Sequence, residues 1–361
     1  MSRRRVAAMA VALTTMTLLV QGCGTQPEPR SWPGAYEGIS PAAVFVAVKG
    51  ELLSVTPTGN SVQVAVLADG KARRGSTVTA RGEVLGLRVA ASDGRLWLGI
   101  EACEGKVVHD DLAFCDGTSN VLVFAGAPDD QKLVADMNKE TASTTLAARL
   151  QAMVAHRDGV ALTVSSAMTA SAVDVTRFVV TEDAVRQVPG DDSRGEMCSS
   201  HGDLYSLVSV PNAEEFKNEG FDLRRLTGDI WKSISLPGGL AERSYNVQLA
   251  CSDSAVDLVF SQAGQAELYG LDDADHLRSV ELANQEPISS HPDWSIDGGA
   301  VLSQVAESGA MSAVLIADPI VEVDLDVSIT STQQRTAFVG QAGGSLLIGR
   351  ITGTTLQVRR G

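Results

Sequence analysis

One short pattern recurs along the chain and constrains its fold more than any other feature. Each copy has an apolar run rich in β-forming residues, a polar turn that often contains Asp-Gly, and a second apolar run. Five copies are clear, and two, at 46–53 and 329–339, are fainter. Their turns are centred near residues 50, 94, 159, 202, 254, 298 and 334. The pattern therefore predicts a chain built from one repeated β-module.

The spacing of these turns predicts an all-β fold, a β-propeller of about seven four-stranded blades over residues 43–361. Propeller blades repeat every ~40–50 residues, and radial stacking covers the faces that one blade cannot bury alone. An insertion explains the long interval from 94 to 159, which holds two cysteines. The segment 142–154 in it has helical period, but it could equally be an excursion between blades that leads into a strand. Two β-sandwiches divided near 191–195 are the competing architecture, but sandwiches lack one recurring module. Six or eight blades remain open.

The copy near residue 298 carries the clearest motif, Pro292-Asp293-Trp294-Ser295-Ile296-Asp297-Gly298. It resembles the PD40-type repeat of TolB-like and WD40-like propellers, Pro-x-Trp-Ser-x-Asp-Gly before an apolar strand. The same residues resemble an Asp-box of sialidase-like propellers, although Leu302 stands where that motif has Trp. Both families are propellers. The TolB-like resemblance implies a scaffold or interaction module, with ligands bound at the funnel where blade loops converge.

The N-terminal residues predict export and a lipid anchor. Arg3, Arg4 and Arg5 precede an uncharged run of 14 residues and then Val20-Gln21-Gly22-Cys23. A basic start, a short apolar segment and a small residue before the cut describe a signal peptide, and a membrane-spanning helix would need ~20 apolar residues. The sequence before Cys23 resembles the lipobox of bacterial lipoproteins, in which that cysteine is acylated. We expect a signal peptide at 1–22 and lipidation at Cys23. The route, general secretory or twin-arginine, stays open.

Residues 23–42 then predict a tether between lipid and propeller. Residues 24–42 hold four prolines and three glycines with no periodic apolar pattern, which is typical of an extended, largely disordered segment. We therefore expect an extracytoplasmic protein that the lipid on Cys23 holds at the cell membrane.

The four remaining cysteines, Cys103, Cys115, Cys198 and Cys251, predict two disulfides. An even count in an exported chain favours disulfides, and four cysteines allow three connectivities. Cys103 and Cys115 are 12 positions apart, so their pairing is the simplest choice and leaves Cys198 with Cys251. Zinc is disfavoured because no CxxC spacing or nearby histidine is present.

The net charge, the composition and the motifs of the chain limit the classes of function that the sequence supports. The formal charge of −15 disfavours nucleic acid as a partner, because phosphate backbones repel an acidic surface. An aromatic content of 4% argues against a carbohydrate surface of stacked rings. No signature of a hydrolase, nucleotide-binding loop, zinc protease or EF-hand occurs, and we predict no catalytic residue, metal ligand or cofactor.

Several polar residues are candidates for a metal-binding or ligand-binding site. His156 and His201 precede turns in successive repeats, and we interpret them as turn residues. Three acidic clusters could offer oxygens to Ca²⁺ or to another ligand, but we interpret them as solvated strand or loop positions. They are Asp110-Asp111, Asp272-Asp273-x-Asp275 and Glu322-x-Asp324-x-Asp326.

The function predicted from the sequence is a binding or scaffold module for a protein or cell-envelope ligand. The alternative is a propeller-fold glycoside hydrolase or lyase with carboxylates in the central funnel. A sialidase-like enzyme would need a tyrosine nucleophile and an arginine cluster. The four tyrosines have no flanking arginine cluster, so the sequence favours binding.

Overall fold

A computed structural model of the chain shows a β-propeller of seven four-stranded blades, as the repeats predict. Five blades are separate sheets, and the other two are joined into one eight-stranded sheet by a parallel pairing of Ser119 with Ala147. The structure describes residues 33–109, 113–140, 147–169, 172–189, 196–211, 218–236, 246–252, 255–262, 265–272, 275–280, 288–290, 295–297, 300–305, 310–316, 321–328 and 334–361. Within these ranges no helix is long and apolar enough to span a membrane.

Each blade is an antiparallel meander, numbered here in chain order. The first strand is β1 (Gly34–Tyr36). Blade 1 contains β2 (Val44–Val48), β3 (Glu51–Thr58), β4 (Ser61–Ala68) and β5 (Lys71–Thr79). Blade 2 contains β6 (Glu83–Ser92), β7 (Arg95–Cys103), β10 (Ser119–Ala127) and β11 (Asp130–Asp136). Between β7 and β10 lies a separate hairpin of β8 (Lys106–His109) and β9 (Ala113–Asp116). The helix α1 (Met137–Glu140) follows β11.

The middle blades follow the same plan. Blade 3 contains β12 (Ala147–His156), β13 (Gly159–Thr169), β14 (Ala172–Val180) and β15 (Val185–Gln187). Blade 4 contains β16 (Glu196–Ser200), β17 (Asp203–Pro211), β18 (Asn218–Thr227) and β19 (Ile230–Ile234). Blade 5 contains β20 (Asn246–Ser252), β21 (Ala255–Gln262), β22 (Gln265–Leu271) and β23 (Leu277–Val280).

Two blades complete the ring. Blade 6 contains β24 (Ile288–Ser290), β25 (Ala300–Val305), β26 (Ala310–Ile316) and β27 (Val321–Ser328). Blade 7 contains β28 (Gln334–Ala342), β29 (Ser345–Thr352), β30 (Thr355–Arg360) and, as its outermost strand, β1. The ring is closed because β1, from the N-terminal side of blade 1, pairs with β30, with Gly34 opposite Val358 and Tyr36 opposite Leu356.

This closing strand corrects the predicted start of the propeller. We expected a tether through residue 42, yet Tyr36 is fully buried and Ile39 is 4% exposed. The Ile39 N–H donates to the Thr354 carbonyl, 2.9 Å away. The compositional argument failed here because a three-residue strand is too short to show an apolar alternation. The propeller therefore begins at Gly34 rather than at residue 43.

Burial follows the radial position of each strand. The first strands of blades 1 to 5 contact one another in turn around the axis, and the first strand of blade 7 contacts that of blade 1. The second strands lie between two neighbouring blades, so β7 is buried on both faces over nearly its whole length. The fourth strand β5 is mostly exposed. Separate clusters of buried aliphatic side chains join blades 1 and 2, 2 and 3, 3 and 4, 4 and 5, 6 and 7, and 7 and 1.

The turns between first and second strands explain why the repeats are visible in the sequence. At Lys49-Gly50, Asp93-Gly94 and His201-Gly202 both residues have positive φ, between 49° and 75°. Two-residue hairpins with this conformation favour glycine at the second position. We call the side of the ring that carries these turns, together with the turns between third and fourth strands, the turn face.

Arginines on the turn face link neighbouring blades. Arg157, in the turn after β12, donates from Nε to the Gly202 carbonyl at 2.7 Å. Arg225 of blade 4 pairs with Asp275 of blade 5 at 2.7 Å. A similar ion pair joins Arg186 of blade 3 to Asp229, which lies in a turn of blade 4. These contacts fix the angles between blades 3, 4 and 5.

The segment 142–154, for which a helix and an excursion leading into a strand are both open from the sequence, is strand β12 from Ala147 onward, and the rest lies outside the described residues. One local prediction was wrong. The seventh turn lies at Gly343-Gly344, between β28 and β29, rather than near 334, which is the first residue of β28. The proposed sandwich boundary at 191–195 lies outside the described residues.

Candidate functional site

A cavity of about 400 Å³ lies in the central channel of the propeller. It is bounded by the first strands of blades 1 to 5 together with Ser295. Its lining residues are Val44, Leu87, Arg88, Val89, Gln151, Ala152, Met153, Val154, Glu196, Met197, Gln248, Leu249 and Ser295.

Four polar side chains lie at one level of this channel. Arg88, Glu196 and Gln248 each stand five residues before the turn that ends their strand, at 93, 201 and 253. Gln151 stands six residues before the turn at Arg157, because β12 has a register shift between Leu150 and Ala152. The repeat therefore places one guanidinium, one carboxyl and two amides at equivalent positions of four successive blades. We call these four residues the polar ring.

Apolar side chains adjoin the polar ring. Val44 occupies the equivalent position on blade 1, and Met153 and Met197 line the same cavity. Methionine side chains are flexible and adapt to ligands of different shapes. None of the described residues that line this cavity is aromatic.

Glu196 of the polar ring also joins two blades. Its Oε2 accepts a hydrogen bond from the Leu249 main-chain N–H at 2.6 Å, which ties the first strand of blade 4 to that of blade 5. The surrounding protein removes water from the carboxyl, and this desolvation raises the pKa of Glu196 despite the opposing effect of the Leu249 hydrogen bond. The side chain as a whole remains accessible from the channel.

Glu101 makes the same kind of contact one step earlier in the ring. It lies on β7, and its Oε2 accepts a hydrogen bond from the Leu150 N–H of blade 3 at 3.2 Å. Burial raises the pKa of Glu101, while that hydrogen bond and the positive charges of Arg149 and Arg88 lower it. The nearest guanidinium nitrogen, Arg149 Nε, is 4.0 Å from Oε1. Two carboxyls, Glu196 in the channel wall and Glu101 buried on β7, are thus each held by a main-chain N–H of the next blade.

The predicted disulfides are both present. Cys103 at the end of β7 bonds to Cys115 of β9, which closes the base of the β8–β9 hairpin. Cys198 of β16 bonds to Cys251 of β20, so this bridge joins the first strands of blades 4 and 5. The second bridge and the Glu196–Leu249 hydrogen bond connect the same pair of strands. Cys23 lies outside the described residues.

The two histidines lie on the turn face, as their positions before turns suggest. His156 at the end of β12 is 7% exposed, and its Nδ1 is 3.4 Å from the Ser199 hydroxyl oxygen of blade 4. Desolvation and the adjacent positive charge of Arg157 lower the pKa of His156 to about 4. His201 is an exposed turn residue with a φ of 50°. Neither lines the channel.

The acidic clusters are not brought together into a site. Asp272 pairs with Arg278 at 2.7 Å, and Asp275 pairs with Arg225. Glu322 and Asp324 are exposed positions on β27, the outermost strand of blade 6. Asp110, Asp111 and Asp273 lie outside the described residues, as does the side chain of Asp326. Among the described residues no group of three or more His, Cys, Asp or Glu side chains could hold a metal ion.

Sequence reasoning missed the polar ring. Arg88, Gln151, Glu196 and Gln248 belong to no recognisable motif, and each is one residue of an ordinary strand. The signal that could have found them is the repeat itself, since superposing its copies on their turns aligns these positions. Tyr36, Tyr205 and Tyr269, the tyrosines in the described part of the chain, lie on β1, β17 and β22 rather than on first strands.

Comparison with known proteins supports the architecture and no particular family. No family model matches the chain, and no curated protein matches it. Among solved structures, the β-propeller domain of the Trilobed protease from Pyrococcus furiosus, described as having an open velcro topology, has a TM-score of 0.53. The two share 9% identity over 90% of this chain and 97% of that domain.

Two further solved structures are similar. The acylaminoacyl peptidase of Pyrococcus horikoshii has a TM-score of 0.53 and 9% identity, over 90% of this chain and 53% of that one. This chain therefore spans about half the length of that peptidase. TolB from Acinetobacter baumannii has a TM-score of 0.38 and 9% identity, over 67% of this chain and 60% of its own. At these identities the comparisons show the fold, a β-propeller, and nothing finer.

Proposed function

We propose that this protein is a lipid-anchored, extracytoplasmic β-propeller that binds a protein or cell-envelope ligand at its central channel. The observation that carries the binding role is the polar ring. Four hydrogen-bonding side chains from different blades converge on one level of a preformed cavity, which is typical of ligand sites. A rigid frame presents them, and binding needs no rearrangement of the blades.

The proposed location depends on the N-terminal sequence and on the cysteines. A lipobox-like segment ends at Cys23, and the four other cysteines form two disulfides, the state expected in an oxidising compartment. A diacylated cysteine supplies the second acyl chain that stable membrane attachment needs.

Fractionation of cells tests the anchor. Cys23→Ala should move the protein from the membrane fraction to the soluble extracytoplasmic fraction, because the acylated side chain is lost. A Cys23→Ala protein that stays in the membrane fraction would contradict the anchor.

Co-purification tests the channel. The full chain is cross-linked in cells, solubilised with detergent and purified, and the molecules that purify with it are identified. The same is done with the Arg88→Glu variant, which reverses the charge of the one cationic side chain in the polar ring. Lys232→Glu, an exposed position on β19, is the charge-matched control. A ligand recovered with the wild type and the control but lost with Arg88→Glu supports the channel site. Equal recovery with all three proteins places binding elsewhere.

A propeller-fold glycoside hydrolase or lyase is the second candidate. The observation in its favour is that two carboxyls have raised pKa values, as a general acid requires: Glu196 in the channel wall and Glu101 buried on β7. Against it, each carboxyl accepts a main-chain hydrogen bond from the next blade, which is a structural role. Cleavage of an envelope glycan that Glu196→Gln abolishes, with the fold intact, would favour the enzyme.

A further inference from the structure

A cluster of basic residues surrounds the point where the chain enters the propeller. The outer strand of blade 1 begins with Lys71, Arg73 and Arg74, and all three are exposed. Arg360, also exposed, lies on β30 two residues beyond Val358, the partner of Gly34. We call these four residues the basic corner. The chain as a whole carries a formal charge of −15, so this concentration of positive charge contrasts with the rest of the molecule.

The basic corner is fixed to the closing strand. The turn at Asp69-Gly70 packs on β1, since a Cβ at Gly70 would lie 3.7 Å from the Ala35 carbonyl oxygen. The buried Tyr36 side chain also hydrogen-bonds to the Gly70 main chain. Lys71 follows that turn directly, so its position relative to β1 is fixed.

Most of this positive charge is not neutralised within the protein. Asp69 pairs with Arg73 at 3.0 Å, and both side chains are more than half exposed. Arg74 donates to the Thr77 hydroxyl at 3.2 Å, and no ion pair of Lys71 or Arg74 is present in the described part of the chain. Exposed pairs such as Arg73–Asp69 contribute little energy. The corner therefore retains a net positive charge that a partner can meet.

The chain length between anchor and propeller limits what this corner can reach. Gly34 lies eleven positions after Cys23, and an extended chain spans at most ~3.3–3.6 Å per residue. An acylated Cys23 would hold the start of β1 within about 40 Å of the bilayer. The basic corner adjoins the start of β1, so the anchor also keeps this corner within reach of the lipid surface.

We propose that the basic corner docks on the anionic headgroups of the membrane that holds the anchor. This inference rests on the proposed lipid anchoring at Cys23. A basic residue near an anionic surface contributes ~1 kcal/mol, and the attraction falls off within a Debye length. The acidic remainder of the propeller is repelled by the same surface. Docking therefore sets one orientation, with blades 7 and 1 toward the membrane and blade 4, across the ring, away from it.

Two single-cysteine labels test this orientation. The lipidated full chain is reconstituted in phosphatidylglycerol-containing vesicles with a fluorophore at Ala72→Cys or at Ile230→Cys. Ala72 is exposed beside the basic corner, and Ile230 is 67% exposed on blade 4. Quenching by headgroup-labelled lipid should be strong for the Ala72 label and weak for the Ile230 label. The difference should disappear in phosphatidylcholine vesicles or at 0.5 M salt, roughly a 4 Å Debye length.

Charge reversal identifies the residues. In Lys71→Glu/Arg73→Glu/Arg74→Glu the docked fraction, read from the Ala72 label, should fall at least about tenfold, given ~1 kcal/mol for each basic residue. The matched control, Lys132→Glu/Lys139→Glu/Lys232→Glu, makes the same charge change at exposed positions on other blades and should keep the Ala72 quenching.

The outcomes separate this inference from the anchor itself. Vesicle-bound protein with equal quenching at both labels overturns docking and leaves the anchor intact. If the protein purified from cells carries no lipid at Cys23 and does not associate with vesicles, the proposed anchoring is overturned. Protection of the Ala72 label by a soluble polyanion, but not by anionic vesicles, also overturns docking, because the occupant would be a polymer.

Discussion

Asp257, on the second strand of blade 5, is a carboxyl that burial leaves poorly solvated. It is 4% exposed, and its Oδ2 has no hydrogen-bond partner among the described residues. Its neighbours Val256 and Leu258 belong to the core shared with blade 4, so Asp257 lies on the opposite face of the strand. Desolvation raises the pKa of Asp257 from 3.8 to about 7. The folded protein therefore favours the protonated form.

Asp257→Asn should stabilise the protein at pH 8 and change little at pH 4. Since the folded pKa is raised, the stability gained from protonation is fully present below about pH 4 and is lost as the pH rises through about 7. The asparagine amide is neutral at both pH values and so avoids that loss of stability. The free energy of unfolding at pH 8 should therefore rise by on the order of a few kcal/mol. Denaturant unfolding at both pH values measures it. Asp158→Asn, in an exposed turn, is the control, and equal effects of Asp257→Asn at pH 4 and 8 would disprove the assignment.

Individual site residues could not be predicted from the sequence, and Glu196 shows why. A glutamate at the start of a short strand has no distinguishing pattern. Its role depends on a hydrogen bond that its carboxylate accepts from the Leu249 N–H, 53 positions away. The cysteines differ because their chemistry restricts them to pairing, so only three connectivities had to be compared. The role of a residue can be predicted from the sequence when its chemistry allows essentially one role, as for cysteines that pair in an exported protein. It cannot be predicted when the role depends on which strand residues lie opposite each other.

At the scale of single elements, strand β12 shows why the segment 142–154 is compatible with both a helix and a strand in the sequence. The buried residues Ala148 and Leu150 alternate as in a strand, but the register shift after Leu150 makes the next buried residue Met153. That spacing of three residues imitates a helical period. The turns of the first five repeats were located correctly because their conformation favours glycine or polar residues. The seventh was misplaced because Gly343-Gly344 lacks the Asp-Gly signal.

The two disulfides should differ in their effect on global stability. Cys198–Cys251 closes a loop of 53 residues between blades, while Cys103–Cys115 closes 12 residues at the base of one hairpin. Loop entropy alone gives about 4 and about 3 kcal/mol, and the hairpin can open without unfolding blade 2. Cys198→Ser/Cys251→Ser should therefore lower the free energy of unfolding more than Cys103→Ser/Cys115→Ser. Urea unfolding of the two double variants measures this, and a larger loss from the hairpin pair would contradict it.

At the scale of the whole molecule, the tether and the ring closure meet in one strand. β1 completes blade 7, and the chain that precedes it leads to Cys23. Any pull from a membrane anchor would therefore act on the strand that holds the first and last blades together. The buried side chains of blades 7, 1 and 6 that pack around Tyr36, among them Phe45 and Phe338, resist that load.

Tyr36→Ala should open the ring locally. Loss of a fully buried aromatic side chain typically costs about 3–5 kcal/mol, and here it also removes the hydrogen bond to Gly70. Hydrogen exchange should accelerate in β28, β29 and β30 while blades 3 and 4 keep their protection. Tyr269→Ala, on the third strand of blade 5, is the matched control and should accelerate exchange in blade 5 instead. If Tyr36→Ala lowers stability but exchange rises equally in all seven blades, the ring unfolds as one unit and β1 is not a separate closure.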